Sequence, residues 1–142
     1  IIMMIVNKLK DEGFSDGEIQ LMRSIKPRKI MNIELVYPNI VRNEIIIGYD
    51  TYPIIVKAEG IFIHETSNYR FINSNINAFL SCLNIYDEYC KNIAFYANED
   101  ENTIIEIVKK YINQMKACDF YALSNKDFYW SIMAQQMMDG NI

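Results

Sequence analysis

A chain of 142 residues with a net charge of -4 is long enough for one domain with a real core, and its 51% apolar content argues against a disordered chain. Mild acidity argues against direct binding of nucleic acid, which needs concentrated Lys and Arg. No apolar run approaches the roughly 20 residues of a membrane helix, and the opening Ile1 to Val6 lacks the basic lead and the length of a secretory signal.

Ile1 to Lys10 contains helix formers and predicts a short helix ending near Gly13. Ser15 and Glu18 have the spacing of a capping box, which predicts a second helix with Ile19, Leu21, Met22 and Ile25 on its apolar side. Pro27 closes it, and Lys26, Arg28 and Lys29 suit the negative end of that helix. Ile33, Leu35 and Tyr37 alternate as in a short strand, with Pro38-Asn39 as its end.

From Glu44 the text becomes β-branched and aromatic. Strands are expected at Glu44 to Tyr49, Pro53 to Ala58, Ile61 to Glu65 and Tyr69 to Ile72, with turns at 50–52, 59–60 and 66–68. Short strands joined by short turns make an antiparallel meander. Ile45 to Ile47 and Ile54 to Val56 are continuously apolar, so those strands are expected to be covered on both faces.

The chain is organised around 71–90. There the last strand runs into Asn73, Ser74 and Asn75, any of which can cap a helix. Apolar residues then recur at Ile76, Phe79, Leu80, Leu83, Tyr86, Cys90 and Ile93, on one side of a helix. The acidic loop Asn98 to Asn102 follows. Thr103 and Glu106 form a second capping-box spacing before a helix running to about Lys116. A final helix, capped by Asn125 or Asp127, holds Phe128 to Met137 and stops at Gly140. The expected fold is α+β: one domain over 1–142, a central and mainly antiparallel sheet around 44–72, and a helical C-terminal half.

The three cysteines, Cys82, Cys90 and Cys118, form no disulfide framework. Cys82 and Cys90 stand eight residues apart on one helix, about 12 Å of rise, against the roughly 4.4–6.8 Å a disulfide spans. Reduced thiols in a cytoplasmic protein are the expectation.

Little else in the chain suggests chemistry. His64 is the single histidine and lies in a strand, so any histidine-based mechanism must use it. There is no zinc-ligand spacing and no Gly-rich phosphate loop, so neither metal nor cofactor is expected. Gly48 and Gly60 read as bulge and turn residues. Asp87, Glu88, Glu99, Asp100 and Glu101 form two acidic groups whose functional reading is the steering of a basic protein partner. Tyr86, Tyr89, Tyr96, Tyr121, Phe128, Tyr129 and Trp130 are candidate interface anchors, most of them expected in the core at this spacing. Most methionines are expected to fill core gaps, with Met137 and Met138 the candidates for exposure.

Several segments occur in a telling order. Ile47-Gly48-Tyr49-Asp50 and Pro53-Ile54-Ile55-Val56 come first, then Glu59-Gly60-Ile61-Phe62 and Phe71-Ile72-Asn73-Ser74. Phe79, Cys82-Leu83 and Tyr86 follow, then Asp119, Ala122-Leu123 and Tyr129-Trp130. This order resembles the SUKH superfamily of bacterial immunity proteins, within it the fourth subfamily, over roughly Glu44 to Met133. The resemblance implies an α+β domain that acts without catalysis. Such a protein binds a toxin domain, often a nuclease or deaminase, and protects the cell by occluding it. The family's recurring residues fall here on Gly48, Gly60, Asn73, Ser74, Phe79 and Trp130, in architectural roles. The segment 1–41 departs from the family pattern.

Two rival functions remain open. One is a regulatory or scaffold module that binds a cellular partner without any toxin. The other is a small enzyme using His64 with a neighbouring carboxylate, which would have to line a cleft together.

Overall fold

A computed structural model describes residues 2–141. The expected α+β architecture is observed. Two helices, α1 (Ile2–Asp11) and α2 (Asp16–Arg23), precede six strands: β1 (Arg28–Ile30), β2 (Ile33–Val41), β3 (Glu44–Asp50), β4 (Tyr52–Lys57), β5 (Gly60–His64) and β6 (Tyr69–Asn73). Then come α3 (Ile76–Asn92), α4 (Glu101–Cys118) and α5 (Tyr129–Met138). The sheet order is β1-β2-β3-β4-β5-β6, every neighbour antiparallel, so the sheet is one continuous meander.

Pro38 does not end its strand as its residue type predicts. β2 runs through it to Val41. Two features make this tolerable. β1 pairs with β2 only from Ile33 to Leu35, so Pro38 lies past β1, where its missing N–H costs nothing on that edge. On the other side the pairing jumps from Leu35↔Gly48 to Asn39↔Ile46, which leaves Val36, Tyr37 and Pro38 bulged opposite Ile47. Arg28 and Lys29 are also reassigned. They lie in β1, and Arg28 reaches across to α3, where Nη2 donates to Asp87 Oδ2 at 2.8 Å. That satisfies the guanidinium better than the end of α2, which already closes at Arg23.

The core forms on one face of the sheet. Ile45, Ile47, Ile54, Val56, Ile61, Ile63 and Ile72 meet buried residues from all five helices there. Ile46 and Ile55 are equally buried, at 4% and 0% exposure, yet stand outside that core cluster. Strand alternation turns them to the opposite face, so the central strands are covered on both sides as their apolar text implies.

At the β6–α3 junction Asn75 is the cap that is used, its side chain accepting from Ala78 N at 2.8 Å. Asn73 is fully buried and Asp119 is 8% exposed. The Asp119 carboxylate accepts from Ser74 N (2.8 Å), Ser74 Oγ (2.9 Å) and Asn73 Nδ2 (3.0 Å). Trp130 Nε1 donates to Asn73 Oδ1 at 2.7 Å. One buried network thus joins the last strand, the start of α3, the loop after α4 and the first turn of α5. Burial of the Trp130 ring, worth roughly 4–6 kcal/mol before entropy costs, is compatible with its polar N–H because Asn73 meets it.

Three local expectations are corrected. The cap of α4 is Asp100, which accepts from Thr103 N at 2.8 Å, and not Thr103. A carboxylate facing the positive helix end outcompetes a hydroxyl. α5 begins after Phe128 without a side-chain cap, and Asn125 instead closes a turn on Asp127 N at 2.9 Å. Met137 is buried at 2% exposure, while Met3, Met4 and Met31 are the exposed ones. All three cysteines are free, Cys82 buried and Cys118 exposed.

Candidate protein-interaction surface

Pairing of the central strands lines up Ile46, Ile55, Phe62 and Phe71 in one row across the sheet, on the face opposite the helical core. Above this row lies a polar and aromatic group. His64 Nδ1 is paired with Glu44 Oε1 at 2.7 Å, and Tyr69 Oη donates to Glu44 Oε2 at 2.9 Å. The His64 and Tyr69 rings stack at 4.2 Å, and Lys57 Nζ sits 3.5 Å from the centre of the Tyr69 ring. The carboxylate acceptor, followed by burial and charge, raises the Tyr69 phenol above its ordinary value and keeps it a donor.

Register alone puts Glu44 and His64 two residues beyond opposite sides of the row. They meet because the sheet coils. Pairing shifts between Ile46 and Gly48, and again between Ile61 and Phe62, mark bulges that increase such curvature.

The aromatic contacts continue sideways. Phe62 meets Tyr69 edge-on at 6.4 Å and Phe71 at 5.6 Å. Phe71 meets Tyr121 at 5.1 Å and Phe128 at 4.8 Å, and those two meet each other at 5.3 Å. An unbroken run of ring contacts therefore extends from His64 to the loop after α4. Its outer members are open: Tyr69 is 43% exposed, Tyr121 57%, and the adjoining Phe120 74%. The Asp119 network fixes where that loop sits, so the junction around Asn73 also positions the rings.

The predicted acidic residues are spread along two elements. Asp87 is spoken for by Arg28 and by Lys91, whose Nζ is 3.1 Å away. Asp100 caps α4, and donation from Thr103 holds its carboxyl below the usual carboxylate range. Glu88, Glu99 and Glu101 are exposed. Among the predicted aromatic anchors, Tyr86, Tyr89, Tyr129 and Trp130 lie in the core, Tyr96 and Phe128 are half-buried, and Tyr121 is at the surface.

The residues singled out as architectural occupy tight places. A Cβ on Gly60 would come 2.6 Å from Asn73 O at a φ of +147°, and one on Gly48 would come 2.6 Å from Glu34 O. Phe79 is fully buried in α3. Asn73, Ser74 and Trp130 are members of the buried network described above. Among the described residues no group of three or more His, Cys, Asp or Glu side chains could hold a metal ion.

His64 has found the acid that a histidine mechanism needs, in Glu44 and not in the adjacent Glu65, which pairs with Arg70 at 2.8 Å. The cavity beside Glu44 and Lys57 reaches toward α1, and His64 is not in its lining. Glu44 alone of the pair lines that space, while the Tyr69 ring stacks on the His64 imidazole.

Glu44, Lys57 and Tyr69 were not singled out in the sequence. Their only signal there is polar or aromatic character at strand ends. The fold and this surface define an α+β protein with its core on one face of a coiled antiparallel sheet and an aromatic, charged surface on the other. No family model, curated protein or solved structure matches the chain.

Proposed function

We propose that this chain is an immunity protein of the SUKH type: a binding protein that neutralises a cognate bacterial toxin domain by covering its active site. The motif order from Gly48 to Trp130 supports the class. The open run of rings at Tyr69, Phe120 and Tyr121 carries the binding reading, because exposed Tyr and Phe beside charged groups are what interface centres are built from. A toxin acting on nucleic acid, a nuclease or a deaminase, carries a basic groove. Glu88, Glu99 and Glu101 would then steer it. The reading places the protein in the cytoplasm with its toxin. No described helix is long and apolar enough to cross a membrane.

The reading expects a toxin gene beside this one, and the test is co-expression with it. Phe120→Ala with Tyr121→Ala should lower thermal stability only modestly, by the Tyr121 contacts with Phe71 and Phe128 at about 0.5–1.5 kcal/mol each, leave the chain folded, and abolish rescue and co-purification. Reversing charge at Glu88, Glu99 and Glu101 should slow association and flatten its salt dependence. Retained rescue in the aromatic double variant would remove this surface from the proposal.

The Glu44–His64 pair favours one rival specifically, a small enzyme. That rival requires His64→Ala to abolish protection while binding persists. The antidote reading expects binding and protection to change together.

A further inference from the structure

At the end of the sheet nearest α5, a cavity of about 390 Å³ opens between the β3–β4 turn, β5, β6 and α5. Its size lies toward the lower end of the roughly 300–1,000 Å³ of small-ligand sites. Asp50 and Glu65 line it, with Ile132 and Met133 as apolar wall and the Tyr52 and Tyr129 rings beside them.

The orientation of Asp50 is unusually well fixed for a turn residue. Tyr129 Oη donates to Asp50 Oδ2 at 2.7 Å, and Asn32 Nδ2 donates to the same oxygen at 2.8 Å. Tyr86 Oη in turn donates to Asn32 Oδ1 at 3.1 Å. Two tyrosines with buried rings, 0% and 6% exposed, thus direct their polar ends at holding one carboxylate. Burial, with the Asp50 charge adding to it, pushes the Tyr129 phenol far up, so it remains a donor at any working pH.

All of this support falls on Oδ2. Among the described residues Asp50 Oδ1 receives no donor. Glu65 repeats the pattern: Arg70 Nε donates to Oε1 at 2.8 Å and leaves Oε2 open. Asp50, Glu65 and Arg70 together carry a net negative charge. Thr51, between Asp50 and Tyr52, holds a positive φ of 65°, a conformation uncommon outside glycine.

Carboxylate oxygens without a donor, aromatic rings and an apolar wall in one lining match one ligand chemistry. That is a planar cation on an alkyl stem: the fork binds carboxylates, the plane stacks on rings, and the stem lies along apolar surface. We infer that this cavity is a receptor pocket for an arginine side chain presented by the protein partner. The inference rests on the binding role proposed above and supplies it with a second anchoring point, at the sheet end.

The pocket can be tested without any toxin. The probe is N-acetyl-arginine amide, titrated into the full chain with backbone amide NMR as the readout. Saturable shifts are expected at Thr51, Tyr52, Glu65 and Gln136, and none with the neutral isostere N-acetyl-citrulline amide. Asp50→Asn keeps an oxygen for Tyr129 and removes the charge; it should weaken the probe by about tenfold or more. Gln136→Arg, on the exposed side of α5, should fill the pocket from within and abolish the shifts while Asp50 and its hydrogen bonds stay in place. Absent shifts, or equal shifts with the citrulline probe, would overturn the pocket while leaving the antidote reading standing. Failure of that reading shows instead as lost rescue with the arginine shifts intact.

Discussion

Replacing Asp119 with Ala should be among the most damaging single changes away from the hydrophobic core. The carboxylate accepts three hydrogen bonds of 2.8–3.0 Å, one of them from the fully buried Asn73 amide. Hydrogen bonds to a charged group contribute roughly 1.5–3 kcal/mol each, and an orphaned buried donor costs about 1–3 kcal/mol. Ser74 is exposed and can turn to water, which reduces its share. Asn73 has no such recourse beyond Cys82 Sγ, a weak acceptor 3.5 Å away. The loss should total about 3–5 kcal/mol, a large part of the roughly 5–15 kcal/mol typical of a domain. In urea, with a slope of about 1–3 kcal/mol per molar, the midpoint should fall by about 2 M with the slope unchanged. Asp119→Asn should fall between the two, since one oxygen survives but its NH2 faces donors. A loss below about 1 kcal/mol for Asp119→Ala would refute the claim that this network ties the junction together.

Trp130→Phe removes the donor to Asn73, and its cost should couple to that of Asp119→Ala by about 0.5–3 kcal/mol in a double-mutant cycle, because the two share Asn73. Gly60→Ala should destabilise by more than about 1 kcal/mol, since the new methyl meets Asn73 O at 2.6 Å with a φ that L residues avoid; a neutral effect in thermal melts would contradict the crowding. The Cys82 thiol, pushed up to about 12 by burial, should resist iodoacetamide in the native protein at mild alkaline pH while the exposed Cys118 reacts, with Cys82 labelled only on unfolding. Asp100 has a lowered folded pKa, so the unfolded chain binds its proton first as pH drops. Its stabilisation should be complete above the ordinary carboxylate range and lost as pH falls through the lower folded value, and Asp100→Ala should flatten that part of the stability curve.

The meander was legible because its apolar strands and short turns repeat without ambiguity, and the strand-to-helix junction because capping residues follow β text directly. Other features depend on competition or on geometry that spacing does not encode. Asp100 and Thr103 both begin plausible capping patterns, and charge decides for the acid. β1 buries only Ile30 of its three residues, too little to register as a strand. Pro38 reads as a stop unless the bulge and the free edge are known. The meeting of Glu44 with His64 depends on sheet coiling. The gathering of Phe71, Tyr121 and Phe128 depends on a hydrogen bond from Ser74 to an acid 45 residues away. Residue type named His64, Tyr121 and Phe128 as candidates; Glu44 and Phe71 join them only through the fold.

The most direct measurement is survival of bacteria expressing a candidate toxin domain taken from the genes neighbouring this one, with the chain supplied as wild type, as Phe120→Ala with Tyr121→Ala, or as His64→Ala. Protection by the wild type, its loss in the aromatic variant together with co-purification, and full protection wherever binding is retained are the expected results. Protection lost in His64→Ala while the complex still forms would contradict a role in occlusion alone, as would a wild type that binds no toxin and rescues no cells.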